Sequence, residues 1–527
     1  MPHPSSLIPH LSENRGRDFR VSLLVLILFP FLLLAPVLQG IWGLGTQFLL
    51  EAAVFLTGGF WFLREIRAGR LPSFISDRGN IPLLFALIFS LLASRLSPVS
   101  ALIAPEWWNF LTGIFILALA SSLTTSERKS ADLALRLAAW FIVLLSFYQG
   151  YVIVVNGVGD STHLTASLTN ANALALFAVM VLPLTVLWRD FFLLAALVVV
   201  LIWTMSVAAV LGLLVGACFY AADNVKRVDL KKNWWVFAVL GAVAAAAVSQ
   251  LELRSVSDRL LWWGSALRMF SDRPLLGFGQ GAFTYIYPAF HHPDAARLAS
   301  IYAHNYYLEF LAENGLPAFL FWGWAVLARL KGIKGLKKYA LIAVLAHSFA
   351  DFGLAVPANF FIFCYLLAEP GGFAVRLPGS VVAFRSLGGW SGKTLAAAAL
   401  GVLLAAHLSG VVSRKMSLDR LQGSAVKACA GGDYSAAEKF LVEASEIEPD
   451  NPLVPQMLGQ VLLRAGLEKN NRPALFRAAV SFERALSLNP YDAASYRDLG
   501  RLYAAAGERK MAEDLLKRKR EVFRWER

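Results

Sequence analysis

Residues 191–222 read "FFLLAALVVVLIWTMSVAAVLGLLVGACFYAA", 32 positions without a charge. As one helix this run would extend about 48 Å, well beyond a bilayer hydrocarbon core of roughly 30 Å. Arg189 precedes it, and Lys226, Arg227, Lys231 and Lys232 follow. Lys and Arg in short loops mark the cytoplasmic side, so two basic flanks require two crossings, expected at 191–205 and 206–222.

Similar runs recur from Val21 to Val412. The remaining crossings are expected at 21–38, 46–63, 80–95, 106–123, 132–155, 171–188, 234–250, 306–329, 339–355, 357–369 and 393–412, thirteen in all. Composition agrees: 57% of the 527 residues are hydrophobic and 16% charged, with a mean hydropathy of +0.56. These are values for a polytopic membrane protein and exclude an ordinary soluble enzyme. The first run, after Arg15, Arg17 and Arg20, is too long for a signal-peptide core and lacks a small-residue cleavage pattern, so it is expected to be retained.

Basic residues fall in alternate loops: Arg64, Arg67, Arg70 and Arg78, then Arg128 and Lys129, and later Lys331, Lys334, Lys337 and Lys338. The loops 39–45, 96–105 and 157–169 carry none. This places a tail at 1–20 in the cytoplasm and, with an odd number of spans, the loop 251–303 and everything after 412 outside. The net charge of +13 is then largely topology and carries no nucleic-acid signature, although a basic face also suits contact with anionic membrane lipid. Cys218, Cys364 and Cys429 have neither paired nor zinc-ligand spacing.

Beyond Ser413 the chain turns charged and helical. "EIEPDNP" is echoed by "LSLNPYD", "MLGQVLLRAG" by "DLGRLYAAAG" and "AAEKFLVEA" by "AAVSFERAL", offset by about 41 residues. The domain 413–527 resembles tetratricopeptide repeats, whose period is 34, with an insertion at "LEKNNRP". Such repeats bind extended protein partners on a concave face; a helical cap that only stabilises or dimerises the membrane part is the alternative.

The outer loop holds "RLLWWGSALRMFSDRPLLGFGQGAF" and runs into "AHNYYLEFLAENGLPAF". Helical spacing covers Arg259 to Phe270, and "RPLLGFGQG" is a turn-rich break. Helical periodicity at the second motif aligns His304, Leu308 and Leu311 on one side of a helix starting at the outer surface. Glu309 and Glu313, four residues apart, are expected to line a wet groove or pair with loop arginines. His347 and Asp351 have the same spacing within a span, which places them on one helix face. Ionisable groups at that depth are costly unless they face a cavity, which makes them site candidates; a mutual hydrogen-bonded pair locking two helices is the alternative. His291, His292 and Asp294 make half a metal site with no second cluster, and a solvated loop describes them better.

These motifs, with "LTNANALALFAVMVLPL" upstream and "AHSFADFGLAVPANFFIFCYLLA" downstream, resemble the O-antigen ligase and O-antigen polymerase superfamily over roughly residues 80–370. The resemblance implies an all-α membrane domain over 21–412. It implies an inverting, metal-independent and cofactor-free glycosyl transfer from an undecaprenyl-diphosphate-linked glycan to an acceptor glycolipid, glycan or protein. The place would be the outer, periplasmic side of a bacterial inner membrane, in surface polysaccharide biosynthesis.

Arg259 matches the family's arginine before the tryptophan and is expected to bind the diphosphate, for which a planar, permanently charged fork is suited. His304 matches the histidine of the His-Asn pair and is expected to activate the acceptor. Asn305 is expected either to hold a sugar hydroxyl or to cap the helix; Arg268, His347 and Asp351 are further substrate-binding candidates. Where the family has a Ser-Arg-Gly-like element, this chain has Val207 within "TMSVAAVLG". Arg95 or Arg268 is expected to replace that arginine, or the donor is held differently, or activity is lost. Two other functions stay open: a protein O-oligosaccharyltransferase, and a non-catalytic scaffold or lipid-glycan transporter.

Overall fold

The computed structural model describes residues 22–38, 44–67, 70–72, 74, 78–156, 163–168, 170–224, 253–291, 300–369, 373–376 and 392–525. Helices follow one another from α1 (Leu23–Val37) and α2 (Leu44–Arg67) to α3 (Ile81–Arg95), α4 (Ser100–Ser121) and α5 (Thr125–Asn156). Next come α6 (Ala171–Leu187), α7 (Phe191–Thr204), α8 (Val207–Asp223), α9 (Leu253–Asp272), α10 (Tyr306–Gly332), α11 (Leu336–His347) and α12 (Pro357–Leu367). The long α13 (Gly392–Ala430) leads to α14 (Tyr434–Ile447), α15 (Leu453–Glu468), α16 (Arg472–Leu488), α17 (Ala493–Ala506) and α18 (Arg509–Val522). One departure from an all-α fold is a small antiparallel ribbon, in which β1 (Arg70–Pro72) pairs with β2 (Phe373–Arg376).

Among the described residues three helices, Ser100–Ser121, Thr125–Val155 and Tyr306–Gly332, are long and apolar enough to cross a membrane. Six more are apolar but run only 10–17 residues. Leu84, Leu144, Val154, Phe192 and Leu320 turn outward, Phe192 being 84% exposed. So much outward apolar surface suits lipid contact. The span expected at 234–250 lies outside the described residues.

The run at 191–222 breaks where Met205 adopts a left-handed φ of 55°, a conformation an α-helix does not propagate. After the break α8 packs tightly on α11. A Cβ at Gly212 would lie 2.6 Å from the Ala343 carbonyl oxygen, and one at Gly216 2.8 Å from that of Tyr339. Small residues four apart permit this backbone approach. Leucine at Gly212 is expected to wedge α8 from α11 and lower the yield of folded protein severalfold; unchanged yield and thermal unfolding in detergent would contradict it.

Helix α10 is broken as well. Gly315 has φ 74° and ψ 173° and is followed by Pro317. The turn-rich loop fits into the break: Phe278 N–H donates to Ala312 O at 3.2 Å, Gly279 N–H to Glu313 O at 2.6 Å, and Leu316 N–H to Pro274 O at 2.9 Å. Interrupted backbone within a membrane is tolerated where protein groups satisfy it, as here. Gly277 is required by this approach, because its Cβ would meet the Glu313 carbonyl at 2.4 Å.

Two expected boundaries differ. The span expected at 339–355 leaves helical geometry after His347, where Ser348 O turns to accept from Tyr306 N–H at 3.0 Å. The span expected at 393–412 continues as the 39-residue α13, since no proline interrupts it. Thereafter helices pack in succession, with Gly459 beneath Phe482, whose ring would stand 2.7 Å from a Cβ there. This C-terminal part seats on the loop that follows α9: the Tyr491 ring lies 5.8 Å from Phe278 and 6.1 Å from Phe290. Arg524 pairs with Asp272 at 2.8 Å.

Candidate active site

Three separate segments converge on the Asp351 carboxylate. Asp351 lies in the irregular stretch between α11 and the 3-10 turn Gly353–Ala355, fully buried, with Oδ1 accepting from Phe352 N–H at 2.8 Å. Its Oδ2 accepts from Asn172 Nδ2 at 2.7 Å, faces His304 Nδ1 at 3.4 Å and lies 3.6 Å from Arg259 Nη2. A buried carboxylate requires such partners.

The sequence explains each placement. Asn170 caps α6 by accepting from Asn172 and Ala173 N–H, and this sets Asn172 in the first turn. Arg259 projects from α9, whose indole rings close over the histidine: Trp262 stacks on His304 with centroids 4.8 Å apart, and Trp263 Nε1 donates to His304 O at 3.3 Å. Phe352 meets the same imidazole edge-on at 4.9 Å.

His304 is not part of α10, as helical spacing predicted. The N-cap is Asn305, which accepts from Tyr307 and Leu308 N–H at 3.0 and 3.1 Å. His304 precedes it with a left-handed φ of 52°. A non-glycine residue held there carries strain of about 1 kcal/mol or more, and such strain concentrates at functional sites. Of the two roles expected for Asn305, capping is the one its side chain performs.

His347 and Asp351 do not share a helix face, because α11 ends at His347. His347 is fully buried against Gly212 and Gly353, and neither ring nitrogen has a hydrogen-bond partner among the described residues. Arg268 is turned elsewhere: Nη1 donates to Phe290 O at 2.9 Å, and the guanidinium lies 5.4 Å from the Trp525 ring. Arg95 lines a separate cavity of about 410 Å³ with Trp108 and Arg414. Val207 is the first residue of α8. Neither Arg95 nor Arg268 therefore joins the Asp351 group. His292 and Asp294 lie outside the described residues.

Glu309 and Glu313 are buried rather than paired with loop arginines. Glu309 Oε2 accepts from Ala303 N–H at 2.6 Å and Glu313 Oε1 from Phe283 N–H at 2.9 Å. With Glu106 they line a cavity of about 240 Å³ that excludes the Asp351 group. Tyr302 stands between, lining the cavity while stacking on Phe352 at 4.2 Å. Burial holds the Tyr302 hydroxyl well above its usual range, and the Glu106, Glu309 and Glu313 carboxyls act in the same direction.

Asn172 and Trp262 were missed as site residues. Their signal lay within quoted motifs, the Asn pair of "LTNANAL" and the tryptophan pair after Arg259. Chemically, a histidine oriented by a carboxylate can take a proton through its other ring nitrogen, and the adjacent guanidinium can offer its fork to an anion.

Residues 191–323 match a protein-family model described as O-antigen ligase. The match supports the O-antigen ligase/polymerase superfamily for this chain and covers Arg259 and His304, but not Asn172 or Asp351. No curated protein and no solved structure matches the chain.

Proposed function

From that family match we propose that this chain moves a glycan from an undecaprenyl-diphosphate donor to an acceptor hydroxyl, outside the cytoplasmic membrane of a bacterium. The observation carrying the proposal is the meeting of Arg259 and His304 on one buried carboxylate, at 3.6 and 3.4 Å. Asp351 orients the imidazole, with the proton on Nδ1. The acceptor hydroxyl then gives its proton to the opposite ring nitrogen as its oxygen bonds to the anomeric carbon. The bond from that carbon to the diphosphate oxygen breaks with its electron pair, undecaprenyl diphosphate leaves, and the configuration inverts. Arg259 stabilises the charge gathering on the leaving group. The imidazolium returns its proton to water. No step requires a metal.

We take residues 21–412 as the membrane domain and 413–527 as tetratricopeptide-like repeats on the outer side. The seating of Tyr491 and Arg524 on the outer loop supports placing loop and repeats together. A reporter active only in the cytoplasm, fused after Arg527, is expected to be silent; a signal would move the repeats inside. The activity is tested with the purified protein in vesicles carrying undecaprenyl-diphosphate-linked glycan and an acceptor extract. Release of undecaprenyl diphosphate without chelator sensitivity is expected. Retention of intact donor with translocation across the vesicle would instead establish a transporter.

A further inference from the structure

The cavity behind Tyr302 is walled by two parts of the molecule. Glu106, Gln280 and Glu313 face it from the membrane side, while Asp419 and Gln422 of α13 and Asn451 face it from the C-terminal part. Its only lining cation among the described residues, Lys415, is already engaged by Glu448 at 2.7 Å.

Two side-chain atoms of residues lining this cavity and its extension have no hydrogen-bond partner among the described residues: Gln422 Nε2 and Asn109 Oδ1. Asn109 is 4% exposed and lines a narrow extension of about 20 Å³ that shares Glu106 and Gln280 with the main cavity. Asn314 is fully buried and reaches Gln280 Oε1 through its own Nδ2 at 2.8 Å. Buried polar atoms in folded proteins are normally hydrogen-bonded, to protein, to water or to a bound group, so Gln422 and Asn109 have bonding capacity left for a guest. Carboxyl and amide groups hydrogen-bond hydroxyls in either direction, and the Tyr285 and Tyr302 rings offer apolar faces. An anionic guest would meet carboxyls on both walls without a free cation to offset them.

We infer that this cavity binds the acceptor as an uncharged, hydroxyl-rich saccharide, and that α13 of the C-terminal part takes a direct share in selecting it. The inference rests on the transferase reading above and adds the acceptor's place and charge class. The Glu106, Gln280 and Glu313 side holds the saccharide against the membrane domain, and Gln422 closes over it. Tyr302, stacked on Phe352 beside Asp351, separates this subsite from His304 and must yield as the acceptor hydroxyl advances.

The test uses the full chain in lipid nanodiscs on an array of neutral, amino-bearing and carboxylated oligosaccharides, both free and as glycolipid headgroups. Neutral saccharides are expected to be retained best. Gln422→Leu should weaken that retention by about tenfold, the effect of losing one well-made hydrogen bond. A glutamine that only fills the cavity wall would produce no such loss. Asp419→Lys, at an exposed position, should shift preference toward carboxylated saccharides. Preference of the unaltered protein for carboxylated saccharides, failure to retain any saccharide, or unchanged retention by Gln422→Leu would each overturn the inference. Transfer that persists with an unchanged acceptor KM in Gln422→Leu would overturn the subsite and leave the transferase standing. Selective saccharide retention by a protein that releases no undecaprenyl diphosphate would do the reverse.

Discussion

Replacing His304 with alanine is expected to reduce glycan transfer by about 100- to 10,000-fold, the range a positioned general base contributes, while the protein stays folded and inserted. Beyond its contact with Asp351 the imidazole packs against the Trp262 and Phe352 rings, and the remaining hydrogen bonds of the site do not depend on it. Asp351 retains Asn172 Nδ2 at 2.7 Å and Phe352 N–H at 2.8 Å without it, and the Asn305 cap is independent of the ring. Donor binding should persist, because the expected diphosphate ligand is Arg259. One structural cost must be separated from chemistry: alanine tolerates the φ of 52° poorly, whereas asparagine visits the left-handed region readily. His304→Asn is therefore expected to match the unaltered protein in yield and the alanine variant in inactivity. Near-normal transfer by either variant would remove His304 from the acceptor step.

Arg259→Lys is expected to lose about 100-fold or more in transfer although the charge is kept. A guanidinium can hold Asp351 with one edge and two phosphate oxygens with another, whereas an ammonium is a single point. Losing one stabilising contact to a developing charge typically costs a few kcal/mol. At 21% side-chain exposure, Arg259 reaches the site edge from α9, and the shorter lysine head should be drawn to Asp351. The fall should appear in the chemical step as undecaprenyl-diphosphate release measured at saturating acceptor. A lysine variant with near-normal release would show that the diphosphate is neutralised elsewhere.

Much of the site was legible as fragments. Arg259, His304 and Asn305 stood out through the motifs that resemble the ligase and polymerase superfamily, and His347 and Asp351 because ionisable groups within an apolar span are costly and need a reason. Their grouping was not legible. Helical spacing joined His347 to Asp351, yet α11 stops at His347; the same rule put His304 in α10, yet it sits before the cap. Both errors arose at helix ends, where hydrogen bonds to other segments decide the last turn: Ser348 O accepts from Tyr306 N–H, and Trp263 holds His304 O. Arg268 shows the opposite failure, since one helix carries both arginines and only the docked Trp525 reveals which way the second turns.

By itself the sequence determined the helical character, the interruption within 191–222 and the presence of successive helices after residue 430. Each follows from a local property: run length against hydrocarbon thickness, flanking charge, or a pattern repeated at short range. Only the tertiary structure decided that Asn172 and Asp351, 179 positions apart, share a hydrogen bond. It alone decided that the loop after Arg273 closes the break in α10, and that α13 runs unbroken from Gly392 into the wall of a second cavity. Hydrophobic periodicity specifies which face of a helix is buried but not which helix covers it. That choice depends on close backbone approach at residues such as Gly212 and Gly277, and on buried polar groups finding partners far along the chain.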